Sequence, residues 1–185
     1  MTKGLLVVVS GPSGAGKTSV CRFLYDKPDV VPSVSATTRA PRRGEVEGRD
    51  YFFLSAEEFE RRIAKGWFLE WAKVFDNYYG TPKGPVLEAI GRGKICLLEI
   101  DVQGGKQVKE NYPEALAIFI APPSAEEAAR RLESRRTEST EQRQRRIREF
   151  EREMAEGQNY DRIVVNRVLA EARRDVWQII RNARR

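Results

Sequence analysis

Residues 11–18, GPSGAGKT, follow directly on the apolar run at residues 5–9 and decide the fold class. They match the pattern G-x-x-x-x-G-K-[ST], in which a short buried strand leads through a glycine-rich loop into a helix. Glycines permit backbone torsions that side chains forbid, so consecutive N–H groups can converge on phosphate oxygens at the positive end of that helix. The pattern therefore predicts a phosphate-binding loop (P-loop), in which Lys17 reaches the transferable phosphates and Thr18 binds magnesium. An ordinary glycine turn is disfavoured by the number of residue types in register.

Length and composition restrict the other possibilities. The chain has 185 residues, enough for one domain with a full core but short for two. Its formal net charge of +6 is compatible with nucleic acid, an anionic membrane surface or small phosphorylated ligands. The sequence contains no histidine, which excludes a Ser-His-Asp triad and a histidine-metal centre. Its two cysteines lack C-x-x-C spacing and no apolar leader or membrane span is visible, so we expect a cytoplasmic protein.

Strands and helices alternate along the chain, which predicts an α/β fold with a mainly parallel sheet. Pro28 and Pro32 are expected to break the chain before the second strand. The predicted strands are residues 5–10, 33–38, 51–54, 67–74, 78–80, 95–101, 115–121 and 162–166. The predicted helices are residues 17–25, 56–65, one within 82–92, one near 105–112, 125–134, most of 135–156 and 170–184. Residues 33–81 read as a compact β-rich insertion because two strands there are joined by a turn.

Arginines are concentrated in two segments. The loop at residues 39–50 carries four of them among prolines and glycines, which favours a second phosphate site over a solvated turn. Between Arg130 and Arg148 most arginines should lie on solvated helix faces in intrahelical pairs. A minority should face the phosphates, as a mobile arginine-bearing lid of a P-loop kinase requires.

The predicted site contains no dedicated base. A phosphate monoester has a second pKa of about 6, so it is largely dianionic at neutral pH and brings its own nucleophile. A site built from Lys17, magnesium and arginines is therefore suited to phosphoryl transfer onto a nucleoside monophosphate.

Seven motifs in order resemble the guanylate kinase family over nearly the whole chain. They are GPSGAGKT, SVSATTRAPRRGEVEGRDYFF, FLEWAKVFDNYYGTP, LLEIDVQG, FIAPPS, RLESRR and VVN. The resemblance implies an ATP-dependent, magnesium-requiring kinase that converts GMP to GDP in purine nucleotide metabolism. It also implies a three-layer P-loop fold in three parts: a core (1–32, 82–134 and 157–185), a GMP-binding insertion (33–81) and a helical lid (135–156).

The same resemblance assigns roles to individual residues. ATP would bind at Gly11, Pro12, Ser13, Gly14, Ala15, Gly16, Lys17, Thr18 and Asn166. The GMP phosphate would be held by Arg39, Arg42, Tyr51 and Tyr79. Guanine or its immediate surroundings would be read by Ser35, Glu70, Thr81 and Asp101. The catalytic charges would come from Lys17, Arg39, Arg135 and Arg146, and magnesium would be held by Thr18, with Glu99 acting through water.

Departures from the family pattern and competing interpretations stay open at this point. Glu99 stands where the family commonly has aspartate, and Arg136 replaces a glycine, which leaves open whether Arg135 or Arg136 points inward. Glu70 lies among apolar residues, so guanine N–H donors or a buried salt bridge to an arginine must compensate its burial. The aromatic residues Trp67, Phe68 and Phe75 are expected in the core.

Two functions from other classes compete with the kinase. A non-catalytic guanylate-kinase-like module would bind phosphorylated peptides at the GMP site, although the intact Lys17 and Thr18 argue against it. Nucleic-acid binding through the basic surface predicts affinity that falls steeply with salt, and no turnover. We expect ATP and GMP as partners, without nucleic acid or membrane.

Overall fold

Two sheets and seven helices make up the part of the chain that the computed structural model describes, which is residues 3–74, 76–132 and 140–184. At residues 132, 140–143, 145 and 146 the description covers the backbone alone. The strands are β1 (Leu5–Ser10), β2 (Val30–Pro32), β3 (Ala36–Thr37), β4 (Phe52–Phe53), β5 (Phe68–Val74), β6 (Asn77–Pro82), β7 (Ile95–Glu99), β8 (Leu116–Ala121) and β9 (Arg162–Val165). The helices are α1 (Lys17–Tyr25), α2 (Ala56–Ala64), α3 (Lys83–Gly91), α4 (Val102–Asn111), α5 (Ala125–Leu132), α6 (Thr140–Glu156) and α7 (Leu169–Ala183), with a 3₁₀ turn at Gly157–Asn159.

The central sheet has five parallel strands in the order β2-β7-β1-β8-β9. Strand β1 alternates between two apolar layers, since Val7 and Val9 pack with α1 and α7, and Leu6 and Val8 pack with α3 and α4. This burial on both faces explains the unbroken apolar run before the P-loop. The predicted three-layer α/β architecture is confirmed.

The second sheet has the order β4-β3-β6-β5, and most of it lies within the predicted β-rich insertion. Strands β5 and β6 form the predicted antiparallel pair. Its core is a stack in which the ring of Phe59, from α2, lies 4.3 Å from that of Phe68 and 5.2 Å from that of Tyr78. Trp67 packs partly buried beside this stack, with the Arg62 guanidinium 4.3 Å from its ring. Phe75 lies outside the described residues.

Three sequence predictions need correction. Residues 30–32 form strand β2, where a break was predicted, because an edge strand tolerates the missing N–H of Pro32. The strand predicted at residues 33–38 shortens to Ala36–Thr37. Helix α4 begins at Val102, earlier than expected, because Oδ1 of Asp101 accepts a hydrogen bond from the Gly104 N–H and caps the helix.

Other boundaries agree with the predictions. Ser55 caps α2 by accepting from the Glu58 N–H, and Ser124 accepts from the Glu127 N–H at the start of α5. Among the described helices, none combines the length and apolar character needed to cross a bilayer.

The aromatic stack should supply a large part of the second sheet's stability. Phe59→Ala removes a fully buried ring and leaves a cavity, so we expect the free energy of unfolding to fall by about 3–5 kcal/mol. Urea denaturation measures this loss. The exposed residue Glu57 on the same helix provides the control, because Glu57→Ala should change stability by less than about 0.5 kcal/mol. A similar small effect for Phe59→Ala would contradict the stack's role.

Candidate active site

The P-loop connects β1 to α1, and close packing leaves no room for a side chain at its first glycine. Gly11 has a φ of 149°, and a Cβ there would lie 2.1 Å from the backbone oxygen of Ile120 in β8. Gly16, with a φ of 90°, directly precedes α1, so the loop ends at the positive pole of the helix. The loop therefore sits where backbone N–H groups can bind phosphate.

The side chain of Asn166 forms a hydrogen bond with the P-loop backbone. This residue follows β9 and is buried, and its Nδ2 donates to the backbone oxygen of Ala15 at 2.8 Å. The same amide nitrogen would lie 2.4 Å from a Cβ at Gly16. Arg131 in turn donates to the Asn166 backbone oxygen at 3.1 Å. Asn166, predicted to bind ATP, thus also holds the loop in its binding shape.

Lys17 lies folded against the loop that precedes it. Its Nζ donates to the backbone oxygens of Gly11 and, at 3.4 Å, of Pro12. Burial lowers the pKa of the ammonium group, whereas the negative charge of Glu153 in α6 and then those of Glu99 and Asp101 oppose that shift. Lys17 is therefore a desolvated cation among carboxylates, and an incoming phosphate would compete for it.

Thr18 and Glu99 meet at the carboxyl ends of β1 and β7. The Thr18 hydroxyl donates to Oε1 of Glu99 at 2.5 Å, and the Tyr25 hydroxyl lies 3.5 Å from Oε2. Hydroxyl and carboxylate oxygens are the ligand types that magnesium prefers, and a nucleotide site needs only one or two from the protein. The residues therefore fit the predicted magnesium position, even though no cluster of three or more acidic, histidine or cysteine ligands occurs among the described residues.

Besides the P-loop, the site contains a pocket of about 290 Å³, which lies between the central sheet and the second sheet. Glu99 also lines this pocket, so the Thr18 region and the pocket adjoin. Five of the residues predicted to bind GMP line it, namely Ser35, Tyr51, Glu70, Tyr79 and Asp101. The tertiary structure thus brings together residues from β5, β6 and the end of β7.

Glu70 is the most deeply buried charge-bearing group of this pocket, with 7% of its surface exposed. Its Oε1 accepts a hydrogen bond of 2.6 Å from the Thr81 hydroxyl. Burial raises the pKa of Glu70 to about 7, and the Thr81 hydrogen bond acts against that shift. No arginine among the described residues forms an ion pair with Glu70, so the competing salt-bridge interpretation has no support in the described part of the chain.

The arginine loop adjoins the pocket through Tyr51, which follows the loop and lines the pocket. Arg39 forms a two-pronged ion pair with Glu45, at 2.9 and 3.0 Å, and its guanidinium carbon lies 5.5 Å from the centre of the Tyr51 ring. The ring of Tyr51 packs edge-on against that of Tyr79, 6.3 Å away. Arg42 joins the cluster through its backbone N–H, which donates to Glu45 at 2.7 Å, while its side chain is exposed. Glu45 thus accepts hydrogen bonds from both arginines of this loop that are predicted to hold the GMP phosphate.

The side chains of the two predicted lid arginines lie outside the described part of the structure. Arg135 lies outside the described residues, and Arg146 lies in α6 with only its backbone described. Among their neighbours, Arg130 and Arg131 form the expected intrahelical pairs with Glu127; Arg130 is exposed, whereas Arg131 also contacts the Asn166 backbone and is partly buried.

Sequence reasoning missed two carboxylates. Glu45 was overlooked as the partner of Arg39, although its position six residues along a turn-rich loop was a usable signal. Glu153 was missed because α6 reads as a uniformly charged helix, and only packing places this residue near Lys17. Burial raises the pKa of Glu153, which is half-buried.

The fold and the site together define a P-loop nucleotide-binding protein with a second, polar ligand pocket beside the loop. The family model for guanylate kinase matches residues 3–183. The chain is 49% identical over 182 residues to a guanylate kinase of Fusobacterium nucleatum subsp. nucleatum, covering 98% of each chain. It is 49% identical over 179 residues to that of Symbiobacterium thermophilum, covering 96% of this chain and 85% of the relative. The crystal structure of guanylate kinase from Anaplasma phagocytophilum superposes with a TM-score of 0.78 at 34% identity, covering 100% of this chain and 88% of that one. The chain therefore belongs to the guanylate kinase family.

The Thr81 hydroxyl should control the ionisation of Glu70. Thr81→Val removes the donor that stabilises the carboxylate, so the pKa of Glu70 should rise further above 7. Because the native state then binds this proton more tightly than the unfolded chain, the free energy of unfolding should fall with rising pH over a wider window above pH 4.5. Carboxyl ¹³C NMR titration of the free protein measures the pKa.

Thr37→Val is the matched control, since Thr37 is another buried threonine of the same sheet but donates to the Tyr78 backbone oxygen. It should leave the pKa of Glu70 unchanged. An unchanged pKa in Thr81→Val as well would mean that the hydrogen bond does not set the ionisation.

Proposed function

We propose that this protein transfers the γ-phosphoryl group of ATP to GMP, giving ADP and GDP. The supporting observation is that Glu99 borders both the Thr18 end of the P-loop and the pocket that contains Glu70. A donor phosphate on the loop and an acceptor in the pocket would therefore be neighbours. Proximity of this kind is the main requirement for phosphoryl transfer.

The proposed division of labour follows the two sheets. Residues 33–81 would bind GMP and residues 135–156 would form the lid. The core, at residues 1–32, 82–134 and 157–185, would bind ATP through Gly11, Pro12, Ser13, Gly14, Ala15, Gly16, Lys17, Thr18 and Asn166.

Guanine would be recognised by the ionised form of Glu70. The carboxylate can accept hydrogen bonds from both N1–H and the 2-amino group of guanine, whereas adenine presents an N1 acceptor that repels it. The Thr81 hydroxyl, which already donates to Glu70, would keep the carboxylate oriented. Ser35 and Asp101 would complete the base site, since both line the same pocket.

The GMP phosphate would be held by Arg39, Arg42, Tyr51 and Tyr79. In the free protein Glu45 neutralises Arg39 through two hydrogen bonds. Phosphate binding is therefore an exchange of one anion for another at the guanidinium group, which limits the net gain in affinity but keeps the arginine in position.

The transfer itself requires no protein base. An oxygen of the dianionic GMP phosphate attacks the γ-phosphorus of ATP, the bond to the β–γ bridging oxygen breaks, and ADP leaves with that electron pair. Lys17, Arg39, Arg135 and Arg146 would stabilise the charge that spreads over the transferring group. Lys17 donates to the Gly11 and Pro12 carbonyls in the free protein, so its ammonium group would exchange these partners for phosphate oxygens.

Magnesium is the proposed metal. It would be held by the Thr18 hydroxyl and, through water, by Glu99, and when bound it would neutralise phosphate charge. A cytoplasmic location is proposed on the two cysteines, Cys21 and Cys96, which are buried and free.

Lys17 should be essential for turnover but not for GMP binding. Lys17→Ala removes the charge that faces the transferring phosphoryl group, so kcat should fall by roughly 100-fold or more while the Kd for GMP changes little. A coupled assay of ADP release measures kcat, and calorimetry measures GMP binding.

The control is Lys65→Ala, which removes an exposed lysine at the end of α2 and should leave kcat unchanged. Near-normal turnover in Lys17→Ala would exclude the P-loop mechanism. GMP binding without turnover in the unmodified protein would instead favour the non-catalytic module.

Glu70→Gln should selectively impair GMP use. The substitution keeps the shape but converts one acceptor into a donor, so one guanine proton loses its partner at a cost of roughly 1–3 kcal/mol, or about 5- to 150-fold. The loss should appear in kcat/KM for GMP, with the KM for ATP unchanged. Glu57→Gln, on the exposed face of α2, should have no effect.

The pH dependence of kcat/KM for GMP provides a second test of the role of Glu70. Because guanine binds the ionised form, kcat/KM for GMP should fall as the pH drops below about 7, the pKa of Glu70 in the free protein. The Glu70→Gln variant should lack this part of the profile and keep only the decline caused by protonation of the GMP phosphate near pH 6. Identical profiles for both proteins would remove Glu70 from guanine recognition.

A further inference from the structure

Strand β5, which carries Glu70, is the outer strand of the second sheet, so one side of its backbone has no strand partner. Helix α4 of the core packs along that open side. Two amide side chains of α4, Gln107 and Asn111, are spaced four residues apart and lie on the same helix face. Both form hydrogen bonds with the backbone of β5.

The Gln107 side chain forms the two backbone hydrogen bonds that a neighbouring strand would otherwise form with one residue of β5. Its Nε2 donates to the Trp71 backbone oxygen at 3.0 Å, and its Oε1 accepts from the Trp71 N–H at 3.2 Å. Both polar backbone groups of Trp71 are thereby satisfied by a single side chain. This is the pattern that a paired strand would provide.

Asn111 satisfies the backbone on the other side of Glu70. The register between β5 and β6 shifts between Phe68 and Glu70, which leaves Leu69 out of the regular pairing. The Asn111 amide donates to the Leu69 backbone oxygen at 2.9 Å, and the Leu69 side chain is buried in the core layer that includes Val108 of α4. The bulge is therefore fixed by both a hydrogen bond and apolar packing.

The residues on either side of Glu70 are thus bonded to one helix, and the same helix touches Glu70 directly. A Cβ at Gly104 would lie 3.0 Å from Oε2 of Glu70, so the carboxylate rests against the first turn of α4. Asp101, another carboxylate that lines the pocket, caps that turn. Helix α4 therefore sets the position of Glu70 relative to Asp101.

We infer that Gln107 and Asn111 are positioning residues for guanine recognition, acting through the backbone of β5 on the Glu70 carboxylate. The inference rests on the proposed role of Glu70. Neither residue needs to touch GMP. A carboxylate that accepts two hydrogen bonds from guanine must be held closely, and a displacement of about 1 Å can cost up to 100-fold in rate. Without the two amides, β5 would be an open edge whose bulge could shift.

The test compares Gln107→Glu and Gln107→Leu with the unmodified protein. The first variant is isosteric but turns the donor to the Trp71 oxygen into an acceptor, and the second removes both hydrogen bonds. We expect kcat/KM for GMP to fall about tenfold in each, through KM, with the KM for ATP changed less than twofold. The preference for GMP over inosine monophosphate, which lacks the 2-amino group, should fall as well, because a misplaced carboxylate discriminates less.

Two controls separate this inference from the proposed function. Gln178→Leu removes an exposed glutamine of α7 and should change neither KM nor base preference. Glu70→Gln tests the underlying assumption. If Glu70→Gln impairs GMP use while both Gln107 variants retain the unmodified KM and base preference, the positioning role is wrong and the proposed function stands. If Glu70→Gln has no effect either, the assumption itself has failed.

Hydrogen exchange in the unmodified protein tests the inference even if the Gln107 variants do not fold. The Trp71 N–H lies on an open strand edge and has the Gln107 side chain as its partner. Its hydrogen exchange, followed by NMR, should therefore be slow, and in Gln107→Leu it should accelerate with little change in Tm. Fast exchange in the unmodified protein would overturn the inference. A parallel rise of both KM values and a large fall in Tm would assign Gln107 a purely structural role.

Discussion

The whole site depends on the P-loop being clamped between the ends of neighbouring strands. Gly11 lies so close to the Ile120 backbone that no side chain fits, and Asn166 holds the Ala15 carbonyl from the end of β9. These contacts fix the torsions that the loop needs before any nucleotide arrives. The conformational entropy cost is therefore met during folding, by the packing of parallel strands. A loop of the same sequence without these strands would have to be ordered by the ligand.

The free protein already neutralises the charges that face its proposed ligands. Lys17 donates to loop carbonyls and lies in the field of Glu153, while Arg39 is bound by Glu45. Such internal partners prevent an unpaired charge from being buried, which would otherwise be costly. They also mean that phosphate affinity reflects an exchange of partners. This arrangement is suited to an enzyme that must release its products as well as bind its substrates.

Glu70, by contrast, has no oppositely charged partner among the described residues of the free protein. The Thr81 hydrogen bond only partly offsets the effect of burial, so the pKa of Glu70 rises to about 7. A protonated fraction near neutral pH relieves the desolvation cost in the free protein. Guanine would supply the missing donors and pull the group to its ionised form. In the proposed mechanism, the preference for guanine would thus be coupled to a proton equilibrium, and α4 would hold the carboxylate in the geometry that this coupling requires. The two sheets act together because α4 belongs to the core yet is bonded to β5 of the second sheet.

The sequence alone determined the features that depend on residues close together in the chain. The apolar run before GPSGAGKT fixes β1 and the P-loop, because burial on both faces and glycine torsions leave few alternatives. Helix boundaries with serine caps were likewise legible, and the ordered motifs identified the family. Edge strand β2 was missed, since proline signals a break in sequence although an edge position tolerates it. Only the tertiary structure decided which polar groups from different parts of the chain meet. The pairing of Arg39 with Glu45, the closeness of Glu153 to Lys17 and the bonding of Gln107 to Trp71 depend on how separate elements pack, and such contacts between distant residues leave no periodic signal in the chain.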